Sequence, residues 1–95
     1  MDYVLSRKAE EDVVSIFLEG TVEFGVDQAD RYHKKLEESF RFLASNPLAA
    51  PERTELSPPV RVHPVGVHII VYRLEPQSDR VLIIRIRHGK EDWLS

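Results

Sequence analysis

Residues 60–95 read VRVHPVGVHIIVYRLEPQSDRVLIIRIRHGKEDWLS, and this stretch decides the fold. Three runs rich in β-branched and aromatic residues are parted by short turn signals. The first covers residues 60–63 and stops at Pro64-Val65-Gly66. The second covers residues 67–74, with Val67, Ile69, Val71 and Arg73 on one face and His68, Ile70, Tyr72 and Leu74 on the other. A turn at EPQSD, residues 75–79, leads to the third run, residues 80–87. There Leu82, Ile84 and Ile86 are expected to pack under the rest of the chain. Val81, Ile83, Arg85 and Arg87 then form a face that turns from apolar to cationic and is partly solvated, as an antiparallel sheet permits.

Upstream of this meander the periodicity changes from two to three and four. Residues 2–5, DYVL, form a short strand candidate that ends at Ser6, a suitable helix N-cap. Ala9, Val13, Ile16, Phe17 and Phe24 follow helical spacing, with Gly20 a weak point inside the run. Glu10, Glu11 and Asp12 compensate the positive end of the helix dipole. Gly25 suits the left-handed residue after the helix, and Asp27 is placed to cap a second one. Ala29, Tyr32, Leu36, Phe40 and Leu43 make a single stripe on that second helix. Asn46-Pro47 ends it, because proline disfavours helical geometry in the residue before it. The short link at Gly25-Val26 implies an antiparallel helical hairpin. Residues 46–59 hold four of the six prolines and are expected to be a structureless connection.

The expected architecture is therefore α+β, one domain over residues 1–95, in the order β-α-α-β-β-β. A helical hairpin lies on a mostly antiparallel sheet. At 95 residues the chain can bury roughly 60–65 % of its unfolded surface, enough for one core without disulfides. It has no cysteine, which fits a reducing compartment. The N-terminus lacks the basic and apolar regions of a signal peptide. No apolar run approaches the roughly 20 residues that span a bilayer. The expected location is the cytoplasm, with no membrane partner.

The net charge is −3, whereas nucleic-acid binders carry a basic excess. Acidic side chains outnumber basic ones in residues 1–57, and the reverse holds in residues 58–95. Glycine loops for phosphate and nucleophile elbows are missing. The four histidines, His33, His63, His68 and His88, offer no metal-ligand spacing beyond His33 four residues before Glu37, so no metal or other cofactor is expected. Two constellations remain. One is the basic end of the sheet, with Arg61, His63, Arg85, Arg87, His88 and Lys90. The other is Trp93, the single tryptophan, which serves either as a lid on the core or as an anchor for a partner.

The order of these pieces resembles the ParE branch of the RelE/ParE toxin superfamily. The resemblance rests on Tyr3-Val4-Leu5-Ser6, Ala9, Asp12, Ile16, Gly25, Ala29, Tyr32, Leu36, Leu43 and Asn46-Pro47. It continues through Arg61, Gly66, Ile69, Tyr72, residues 81–86 and His88 to Asp92. It implies a toxin of a type II toxin–antitoxin module that binds DNA gyrase and is neutralised by a ParD-like antitoxin through a helical C-terminal segment. RelE-like members of the superfamily are ribosome-dependent mRNA endoribonucleases. This chain departs from them at His68, which stands where they carry an arginine, and at Glu91 and Asp92, which interrupt their basic tail.

The resemblance implies that gyrase binding and toxicity reside in Arg61, His63, Arg85, His88, Lys90 and Trp93. It implies antitoxin contacts at Val13, Ile16, Phe17, Tyr32 and Leu36. No catalytic residue is expected; under the alternative nuclease reading they would be His68, Arg85 and His88. The remaining alternative is a non-toxic relic that only pairs with an antitoxin.

Overall fold

A computed structural model describes residues 1–89. Lys90, Glu91, Asp92 and Trp93, which carry the expectations about the tail, lie outside the described residues. The elements are β1 (Asp2–Leu5), α1 (Arg7–Phe24), α2 (Val26–Ser45), β2 (Glu52–Arg53), β3 (Val60–Val65), β4 (His68–Glu75) and β5 (Arg80–His88). They form one sheet in the order β1-β5-β4-β3-β2. β1 runs parallel to β5, and every other neighbour is antiparallel. The helical hairpin covers one face of this sheet, as expected.

Ser6 joins sheet to helix. Its Oγ accepts the Ala9 N–H at 3.0 Å, which caps α1. The same hydroxyl donates to the Ile84 carbonyl at 2.7 Å, and the Ser6 N–H donates to the Ile83 carbonyl at 2.9 Å. The β1–β5 ladder thus continues into the first turn of α1.

The hairpin turn is a single residue. Gly25 has φ 91° and serves both as C-cap of α1 and N-cap of α2. Asp27 therefore does not cap α2. The positive φ of glycine lets one helix stop and the next start at the same residue. Asp27 consequently falls inside the first turn, where its carboxylate meets the helix dipole. Near the turn the helices touch: a Cβ on Gly20 would lie 3.4 Å from the Ala29 Cβ.

The core is built from Ala9, Leu36, Phe40, Leu43, Ile70, Tyr72, Val81, Ile83 and Ile86, with Tyr3, Leu5, Val13, Ile16, Tyr32 and Leu74 packed around it. Each large apolar side chain buried here contributes roughly 1.5–3 kcal/mol. Phe24 follows the helical spacing of Ala9, Val13, Ile16 and Phe17 but is 60 % exposed. It is the last residue of α1, beyond the part of the stripe that α2 and the sheet cover.

β5 corrects the expected facing. Val81 and Ile83 are fully buried, whereas Leu82 and Ile84 are only half-buried and line a groove on the opposite face. The register explains the error. Tyr72 pairs with Ile83 and Val71 with Arg85, so Ile84 is the extra residue of a β-bulge. A bulge reverses the alternation beyond it. Ile86 therefore joins Val81 and Ile83 in the core, while Arg85 and Arg87 stay outside with Leu82.

β3 runs two residues further than expected and includes Pro64 and Val65. The turn is Gly66-Val67, closed by the Val65–His68 pair. The long connection is also less free than expected. Its two-residue strand β2 pairs with β3. The hydroxyl of fully buried Tyr72 donates to the Pro47 carbonyl at 3.1 Å and accepts the Ala50 N–H at 3.4 Å. These bonds satisfy a phenol inside the core. Burial raises the Tyr72 pKa above its ordinary value, which keeps it neutral.

Candidate functional site

The residues expected to form one basic patch are dispersed by the pleat. Arg61 pairs with Tyr72 and His63 with Ile70, on the helix-facing side of the sheet. The Arg61 guanidinium donates to the Ala50 carbonyl, which pins the connecting loop. His63 stacks on Phe42 of α2, with ring centroids 5.5 Å apart and planes 29° from parallel. Burial lowers its pKa below the ordinary histidine value. Arg85 instead reaches the β5 edge. Its Nε donates to Asp12 Oδ2 at 2.8 Å and its Nη2 to Oδ1 at 3.0 Å. The same Oδ2 accepts the Ile86 N–H at 2.9 Å.

His88 joins a different group. It is the cross-strand partner of His68, with ring centroids 5.7 Å apart and planes at 70°. Tyr32 reaches across from α2, and its hydroxyl lies 2.6 Å from His68 Nδ1 and 3.1 Å from the Val65 carbonyl. Burial raises the Tyr32 pKa, and the backbone amides of Val67 and His68 pull weakly the other way. Gly66 makes this approach possible. It has φ 55°, and a Cβ there would come within 2.6 Å of the Tyr32 hydroxyl. These three rings border a cavity of about 590 Å³ between the helical hairpin and the sheet end, walled by Ile16, Gly20 and Phe24.

The other face of the sheet carries a groove of about 420 Å³. Val71, Leu82 and Ile84 form its apolar floor, and Arg73, Arg85 and Arg87 stand around it. Of the cations, the sequence singled out Arg85 and Arg87 but not Arg73. The alternation of the middle strand already placed Arg73 beside Val71, and that was the available signal.

The expected antitoxin contacts divide by depth. Val13, Ile16 and Tyr32 are half-buried against the core, and half-buried Phe17 meets the His33 ring of α2 edge-on. Leu36 is 1 % exposed and belongs to the core, so a docked partner cannot reach it. The exposed apolar side chains of α1 are Val14, Leu18 and Val22, four residues apart, followed by Phe24 and Val26 at the hairpin turn. The spacing of Val14, Leu18 and Val22 was visible in the sequence. Its meaning was not, because a stripe toward solvent looks the same as one toward a core.

Relatives identify the plan. The sequence profile described as "ParE toxin of type II toxin-antitoxin system, parDE" matches residues 3–93. The chain belongs to the ParE toxin family. It is 31 % identical over 86 residues to Toxin ParE1 of Caulobacter vibrioides, covering 90 % of this chain and 86 % of that protein. It is 28 % identical over 90 residues to Toxin ParE1 of Mycobacterium tuberculosis, covering 95 % and 91 % of the two chains. A structure titled "Chromosomal ParDE TA system from P. aeruginosa" has the same fold, with a TM-score of 0.76 and 23 % identity over 93 % of this chain and 95 % of that one. Among the described residues no helix is long and apolar enough to cross a membrane.

Proposed function

We propose that this chain is an active toxin that binds DNA gyrase directly and blocks its strand-passage cycle in the cytoplasm. A ParD-like antitoxin neutralises it by laying a helical C-terminal segment along it. Family membership supports the toxin role. The observation that carries the finer reading is the separation of two unlike surfaces. On the outer face of the sheet, Arg73, Arg85 and Arg87 surround an apolar floor. On α1, Val14, Leu18 and Val22 present an apolar stripe to solvent. An arginine-walled groove suits an acidic protein surface, since arginine is enriched at interface hot spots. A stripe with helical spacing suits a partner helix. The chain acts by binding rather than by catalysis. The set His68, Arg85 and His88 that a nuclease would use is split, with the two imidazoles facing the helices and the guanidinium at the β5 edge on Asp12.

The test is supercoiling by purified gyrase with this chain in excess. The expected result is inhibition, relieved by the antitoxin and weakened by Arg73→Glu or Arg87→Glu. Unimpaired supercoiling together with cleavage of ribosome-bound mRNA would overturn the reading in favour of a nuclease. Unimpaired supercoiling with normal growth of cells expressing the chain would leave an antitoxin-binding relic.

A further inference from the structure

The outward face of α1 is close to a palindrome. Residues 14–22 read VSIFLEGTV. Four of them are engaged within the molecule. Ile16 packs against the core, Phe17 meets the His33 ring of α2, Gly20 lies beside Ala29, and Glu19 borders the cavity beneath the hairpin. Val14, Ser15, Leu18, Thr21 and Val22 remain, all exposed or half-exposed. From either end these five give valine, hydroxyl, leucine, hydroxyl, valine. Leu18 stands at the centre, with Ser15 and Thr21 three residues to either side and Val14 and Val22 four. The Thr21 hydroxyl already donates to the Phe17 carbonyl of its own helix at 2.8 Å.

Such a face is complementary to itself. A two-fold interface brings the same patch of each copy together, so that residue i meets j and j meets i. When two α1 helices lie antiparallel about an axis at Leu18, Val14 of each copy meets Val22 of the other, Ser15 meets Thr21, and Leu18 meets its own counterpart. Residues four apart form a ridge that fits the matching groove of a second helix at a crossing angle of about −50°. Charge selects the antiparallel sense. Arg7 and Glu11 continue the stripe toward the helix N-terminus. A parallel pair sets Glu11 against Glu11 and Arg7 against Arg7. The antiparallel pair instead sets Glu11 opposite the uncharged Gly25 turn and opposes the two helix dipoles. Between Val14 and Val22 this face carries no charged residue, so like charges do not meet at the axis. Phe24 and Val26 extend the apolar surface at the hairpin turn. Five large apolar side chains fall short of the roughly 20–30 residues a side in a standard stable interface, so the association is weak and reversible.

We propose that two copies of this chain associate through α1, antiparallel about Leu18. The pairing covers the stripe that the antitoxin reading assigns to a partner helix, and it does not depend on that reading. The arginine-walled groove lies on the opposite face of the sheet and stays open.

Sedimentation equilibrium of the untagged chain alone, from micromolar to near-millimolar concentration, tests this. The expected mass rises with concentration from that of one chain, 11.0 kDa, toward twice that value. Leu18→Glu brings two carboxylates together at the axis and is expected to weaken association at least about tenfold, with circular dichroism confirming that its helices are intact. Cross-linking reads the geometry. The chain has no cysteine, so only introduced thiols react with a short bifunctional thiol reagent. Leu18→Cys is expected to link to itself. Val14→Cys is expected to link to Val22→Cys in a mixture far more than to itself. A folded wild-type chain that stays monomeric over the whole range would overturn the proposal, as would a dimer that persists unweakened in Leu18→Glu. Val14→Cys linking to itself as readily as to Val22→Cys would overturn it too. These results leave gyrase inhibition and antitoxin capture, which are measured separately, untouched.

Discussion

Asp12 holds Arg85 with both carboxylate oxygens and uses one of them again to accept the Ile86 amide. One side chain from the second turn of α1 thereby closes the β5 edge just beyond the last β1 partner, Leu5–Ile83. The β1 ladder stops at Leu5, and beyond it the Ile86 amide is met by Asp12 instead of by a strand. Two charge-assisted bonds in fork geometry are stronger than a single surface ion pair. The pair is also partly shielded, with the Asp12 side chain 16 % and that of Arg85 31 % exposed.

Replacing Asp12 by alanine removes a partner from a guanidinium and from a backbone amide at once. The expected loss is about 2 kcal/mol of unfolding free energy, the range for a part-buried donor left without its acceptor. Urea denaturation measures it. Arg85→Lys, which keeps the charge but loses the fork, is expected to fall between wild type and Asp12→Ala.

Gly66→Ala is expected to destabilise the fold by more than about 1 kcal/mol, because a side chain is forced into a positive φ. It also drives a methyl group onto the Tyr32 ring. Thermal melts separate the two causes. The penalty shrinks but does not vanish when Gly66→Ala is introduced into Tyr32→Ala, since only the contact has been relieved.

His63 makes the fold sensitive to mild acid. Its folded pKa lies below its unfolded value because burial against Phe42 disfavours the charged ring. Below about pH 6.5 the unfolded chain therefore binds a proton that the folded chain resists. The contribution is fully present above that pH and is lost as pH falls through the window down to the depressed folded value. Urea midpoints between pH 7.5 and 5.5 are expected to drop further in wild type than in His63→Gln.

Leu18→Glu and Val22→Glu test the outward stripe of α1. Both positions are largely solvent-facing, Leu18 at 58 % and Val22 at 90 % exposure. The expected change in stability is within about 0.5 kcal/mol. Capture by a ParD-like antitoxin, read in a pull-down or by calorimetry, is expected to fall sharply. Supercoiling inhibition should persist in these variants, because the arginine-walled groove lies on the opposite face of the sheet.

Sequence periodicity was enough to name every element except β2, their order and the helical hairpin. Leu36, Phe40 and Leu43 recur at helical spacing, and Ile70 and Tyr72 at strand spacing. Each is a local property that burial then exploits. Gly25 and Ser6 were equally legible, because a positive φ and an N-terminal cap each demand particular residue types. The ParE likeness followed from the order of such pieces.

Tertiary structure alone decided the rest. Alternation predicts facing only while the ladder stays regular, so the bulge at Ile84 moved Leu82 out of the core and Val81 into it. No local pattern pairs Asp12 with Arg85, which is 73 residues away, or Tyr32 with His68. A long-range contact leaves no periodic trace. The expected basic patch came apart for the same reason. Arg61 and His63 turn toward the helices, Arg85 grips the sheet edge, and His88 faces His68. Residue type and spacing specify which face of an element is apolar. Only the packed chain determines which charged and aromatic side chains meet, and those meetings make the surfaces a partner can recognise.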